Sequence, residues 1–108
     1  MRHALLERRP PQYTGKPGCE IDLVMRLADG SILHIELQAK NDRHIAYREG
    51  VYCFLLARMY SGCRIRQVVL YVGSERLRMP AGIDLGKTKG AFRLLDIREI
   101  DAERVVGE

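Results

Sequence analysis

Five side chains in one short stretch could do chemistry together. Glu20 and Asp22 precede Ala28-Asp29-Gly30, and His34, Glu36 and Gln38 follow it, each set at two-residue spacing. Residues two apart share one face of a β-strand. If the two segments pair, Asp22 sits opposite Glu36 and Glu20 opposite Gln38. Carboxylates directly opposite one another repel. A hard divalent cation such as Mg²⁺ binds through carboxylate oxygens and would relieve that repulsion. A second reading stays open: an ordinary solvated sheet face whose carboxylate pair is softened by Arg26 and Lys40.

Those positions require a hairpin, and the stretch Cys19 to Lys40 supplies one. Apolar and polar residues alternate on both sides of the Gly-containing connection, the pattern of strands with one buried face. Ile21, Leu23, Met25 and Leu27 make one apolar row, and Leu33, Ile35, Leu37 and Ala39 the other. A two-residue loop would set Asp22 against Leu37 and bury neither face. A three-residue loop with Gly30 in the left-handed position aligns the rows: Met25 with Leu33, Leu23 with Ile35, Ile21 with Leu37. The apolar rows are then expected to face the core, and the polar row to stay open for chemistry.

The remaining elements follow in order. Residues 3–9 could form two turns of helix stopped by Pro10-Pro11, and 10–18 read as irregular chain. After the hairpin (about 19–40), Asn41-Asp42 offers a helix N-cap. The helix runs over about 43–60 and ends at Ser61-Gly62. Its centre, GVYCFLLA, is apolar nearly all round, which predicts burial on more than one side. A β-branched run at about 66–73 reads as a central strand, joined to the hairpin by a parallel crossover. Residues 74–91 read as loop and Phe92 to Glu99 as a last strand. The tail from Asp101 is either a short helix or frayed.

With 108 residues, one domain (1–108) is expected. The formal charge of +4 and a pI near 9.2 are compatible with nucleic acid without requiring it. Cys19, Cys53 and Cys63 show no metal or disulfide spacing. No apolar run approaches a membrane span, so a cytoplasmic protein, away from membranes and with no small-molecule cofactor, is expected.

The arrangement resembles the minimal core of the PD-(D/E)xK nuclease superfamily, the restriction-endonuclease-like α/β fold. It is closer still to the recombination-promoting nuclease and transposase group within it. The residues that carry the likeness are Asp22, Asp29-Gly30, His34-Ile35-Glu36-Leu37-Gln38, Arg48, Tyr52 and Tyr60, then Val68 to Val72. It covers about residues 19–75. The chain departs from the superfamily where Gln38 replaces a Lys, in its poor strand before Asp22, and in its short length.

The resemblance implies Mg²⁺- or Mn²⁺-dependent hydrolysis of DNA phosphodiesters. Asp22 and Glu36 would be ligands, with the Leu37 carbonyl a third, and Gln38 would position water or phosphate. Lys40 would substitute for the missing Lys. Glu20, Glu7, His34 and Arg48 are auxiliary candidates, although each also has an ordinary structural reading. Arg64, Arg66, Arg76, Arg78, Lys87 and Lys89 would form a basic rim for DNA, and a homodimer would supply the two sites that duplex cleavage needs. The alternative is a catalytically inactive domain of the same fold that binds nucleic acid or a protein partner.

Overall fold

A computed structural model describes residues 5–7 and 20–100. Among them, β1 (Leu5–Glu7), β2 (Glu20–Arg26) and β3 (Ile32–Gln38) form an antiparallel meander. Helix α1 (Ile45–Met59) then crosses to β4 (Ile65–Tyr71), which pairs parallel with β3. A small antiparallel pair, β5 (Gly82–Asp84) and β6 (Lys89–Ala91), precedes β7 (Arg93–Asp96), which runs parallel to β4 and ends in a 3₁₀ turn at Ile97–Glu99. The main sheet has the order β1-β2-β3-β4-β7. The described residues thus form a small α/β arrangement with a mixed sheet and one α-helix. No helix among the described residues is long and apolar enough to cross a membrane.

The hairpin has the expected register. Asp22 pairs with Glu36, Leu23 with Ile35 and Met25 with Leu33. Leu27 N donates to Ser31 O at 2.9 Å, and Gly30 closes the loop at φ +88°, a backbone conformation that L side chains enter only at a cost.

Four expectations about single elements are corrected first. Leu5–Glu7 is a strand against β2 rather than part of a helix. These residues satisfy their backbone groups through the sheet, which a two-turn helix would do poorly. Residues 74–91 contain β5 and β6 rather than loop alone. The helix begins two residues later than its cap signal, at Ile45 with His44 at the N-cap. Asp42 accepts from His44 N at 2.9 Å and turns the chain just before it. Finally, α1 is buried on one side only: Tyr47, Val51 and Phe54 are 56, 54 and 69% exposed. Cys19, residues 10–18 and the tail from Asp101 lie outside the described residues.

The largest correction concerns the two faces of the sheet. Helix α1 packs on the row containing Val24, Ile32, His34, Glu36 and Gln38, all buried. Leu23, Met25, Leu33, Ile35 and Leu37, on the other face, are only partly buried, and Ala39 is exposed. Two apolar clusters account for this choice. Val24 and Ile32 meet Tyr52 and Leu56 at one end of the helix. Val69 and Tyr71 meet Ile45 and Met79 at the other. The polar residues of β3 are sealed between those contacts.

Candidate metal centre beneath the helix

His34 lies at the middle of the polar row, flattened against Tyr52 with ring centroids 4.0 Å apart. Its Nε2 is 3.4 Å from Asp22 Oδ1, and its Nδ1 is 3.6 Å from Glu49 Oε1. Gln67 of β4 fixes the ring from behind. Its Nε2 lies 3.2 Å from His34 Nδ1 and donates to Glu49 O at 2.9 Å. With that amide donating, Nδ1 is the acceptor and Nε2 carries the proton toward Asp22.

Glu36 is fully buried and is bridged by Arg48 from the first turns of α1. The same guanidinium donates to Gln38 Oε1 at 2.9 Å and to Asp42 Oδ2 at 2.5 Å. Gln38 donates in turn to Lys40 O at 2.9 Å. Both ends of the Gln38 amide are therefore engaged within the protein, and its visible role is to hold Arg48 rather than to face solvent.

Asp22, His34 and Glu36 form a cluster able to hold a metal ion: one ligand atom from each lies within 4.8 Å of the others. The donor set fits a divalent cation for a further reason. Were they ionised, Glu36 Oε1 and both oxygens of Glu49 would be buried with no donor facing them, at about 1–3 kcal/mol for each unsatisfied group. A proton shared between Glu49 and Glu36 is one answer, and a cation is the other. Burial, then the hydrogen bond and charge of Glu36, push the Glu49 carboxyl up to about 10 against the pull of Arg48. Glu49 is accordingly neutral at physiological pH, while the carboxylates around it favour positive charge.

The structure thus brings together Asp22, His34, Glu36, Gln38 and Arg48. Leu37 turns its side chain to the other face, so only its carbonyl could contribute. Lys40 is exposed beyond the end of β3 and joins the network through its backbone carbonyl, which accepts from Gln38. Glu20 pairs with Gln38, and Glu7 with Val24, along the backbone, but their side chains lie outside the described residues. The basic rim is divided. Arg64 and Arg66 lie at the start of β4, where Arg66 meets Asp29 at 3.4 Å. Arg76 and Arg78 follow its other end, where they bond to Asn41, about 20 Å away along a strand of this length.

Glu49 and Gln67 were not among the site residues read from the sequence, and Asp42 was read only as a helix cap, not as a partner of Arg48. Glu49 left a signal nonetheless: it is the sole acid of the helix and stands beside its apolar centre, and a carboxyl buried there must be paired or protonated. Comparison of the chain with family models, curated proteins and solved structures finds no match.

Proposed function

We propose that this protein is a metal-dependent phosphodiesterase acting on DNA, a nuclease of the PD-(D/E)xK, restriction-endonuclease-like kind and of the recombination-promoting group. The observation that carries this reading is the meeting of Asp22, His34 and Glu36 on adjacent strands, with their ligand atoms within 4.8 Å. The antiparallel β2–β3 pair followed by the parallel β3–α1–β4 unit supports it.

Asp22 and Glu36 would hold the cation, with His34 completing the donor set. An imidazole among the donors favours Mn²⁺ over Mg²⁺. When bound, the cation would lower the pKa of an attacking water and offset charge on the scissile phosphate. Gln67 orients the His34 ring, and for Nε2 to join Asp22 and Glu36 as a ligand its proton would move to Nδ1, on the Glu49 side. Arg48 is 15% exposed and reaches from Asp42 at the surface to Glu36 inside. It is the group placed to take a phosphate oxygen as Glu36 turns to the cation. Cutting both strands of a duplex would need two such sites, which a homodimer would provide.

The experiment is cleavage of supercoiled plasmid and labelled oligonucleotides with Mn²⁺ or Mg²⁺. Nicking by the wild type and none by Glu36→Gln is the expected result. A second reading, an inactive domain of the same fold, is favoured by the Arg48 bridge, which closes Glu36 and Gln38 from the surface. Full metal loading without cleavage would select it.

A further inference from the structure

A cavity of about 120 Å³ opens between α1 and the β5–β6 pair. One wall is the helix face of Ala46, Gly50, Cys53 and Phe54, and the other is Ile83 and Phe92, with Thr88 and Lys89 at the rim. Its floor is Glu49 and Gln67, the same residues that contact His34. The cavity is far smaller than the roughly 300–1,000 Å³ of a site for a drug-sized ligand, and it is mostly apolar, with a volume on the scale of one aromatic ring system.

A second observation lies beside it. Tyr47, Val51 and Phe54 are exposed at helical spacing, and Phe54 belongs both to this stripe and to the cavity wall. Lys89 lines the cavity with its ammonium 3.9 Å from the exposed Asp84, Lys87 is exposed two residues before it, and Arg43 and Arg58 are exposed towards the two ends of α1. The sole acid of α1, Glu49, is buried, so the exposed side of the helix carries no negative charge. Aromatic rings interleaved with cations are the chemistry of single-strand binding: bases stack on the rings while cations follow the phosphates. A paired duplex offers neither an unstacked base nor a ring free to enter a cavity.

We infer that the α1/β5–β6 cavity is a subsite for one unpaired nucleobase, with Phe54 as its stacking platform and Lys89 on the adjoining phosphate. The substrate of the proposed nuclease is then a single-stranded segment. This rests on that proposal for its link to cleavage, but not for the binding itself.

The test is fluorescence anisotropy of an end-labelled single strand and of the same sequence as duplex, in EDTA. Wild type is compared with Phe54→Ala and Lys89→Ala. Both side chains are mostly exposed, so neither variant removes core contacts, and circular dichroism checks the fold. Tighter binding of the single strand than of the duplex is expected, with about a tenfold loss for Phe54→Ala on single strands alone. A fluorescent adenine analogue in the strand should be quenched by wild type and less so by Phe54→Ala. Equal affinity for the two forms, or no effect of Phe54→Ala, overturns the inference. Because no metal is present, failure to cleave DNA with Mn²⁺ would leave a positive binding result standing. Cleavage without any Phe54 dependence of binding would remove only this subsite.

Discussion

The sheet has a polar face sealed by α1 and an apolar face that is only half covered, and the contrast runs against simple burial energetics. Covering Leu33, Ile35 and Leu37 would stabilise the fold at about 25 cal/mol per Å². The helix instead covers His34, Glu36 and Gln38, each of which must find a partner when removed from water. Arg48, Gln67 and Glu49 supply those partners. Local rules of sequence are commonly broken at functional sites, and the sealed face is the one that the proposed chemistry would use.

The strongest test of that contrast is Arg48→Ala. It would leave Glu36 buried and uncompensated, so a loss of about 3–5 kcal/mol in urea unfolding is expected. Arg48→Lys restores the charge but not the forked geometry and should recover only part of it. A loss below about 1 kcal/mol would show that the sealed network is not held by this bridge. A direct comparison of the two faces comes next. Leu56→Ala, at a fully buried position under the helix, should cost about 2–5 kcal/mol. Leu33→Ala on the half-covered face should cost about half as much. Equal costs would mean the two faces are covered alike in solution.

The sealed face should also leave a mark on pH dependence. The folded-state pKa of Glu49 is raised from 4.5 to about 10, so the folded chain binds a proton that the unfolded chain releases. Stability contributed by the neutral carboxyl is complete below pH 4.5 and is lost as pH rises toward 10. Denaturation midpoints should fall between neutral and alkaline pH in wild type, and fall less in Glu49→Gln. The smallest effect belongs to the turn that sets the register of both faces. A Cβ at Gly30 meets nothing within 4 Å, so Gly30→Ala should cost only the left-handed backbone penalty, about 1–2 kcal/mol.

The hairpin register was legible because period-two alternation and a Gly at the third loop position leave one pairing that aligns like with like. That pairing placed Asp22 against Glu36 correctly. The same alternation misassigned the covered face. It ranks rows by hydrophobicity and does not see that Tyr52, Leu56 and Ile45 are presented to Val24, Ile32 and Val69. The partners of the site came from other elements. Glu49 and Gln67 reach His34 from α1 and β4, contacts that depend on the helix's rotation about its axis. Phe54 read as core within an apolar run, yet it faces outward because no layer of the described residues covers that side.

The central claim is that the sealed polar face holds a divalent cation. Calorimetric titration of Mn²⁺ into the wild type, Asp22→Ala and Glu36→Gln addresses it most directly, with folding of each checked by circular dichroism. Saturable binding to one site in the wild type, lost in both variants, is the predicted result. Absence of saturable binding in a folded wild type, or binding that survives Asp22→Ala, would contradict it and leave the cluster as a proton-sharing network closed by Arg48.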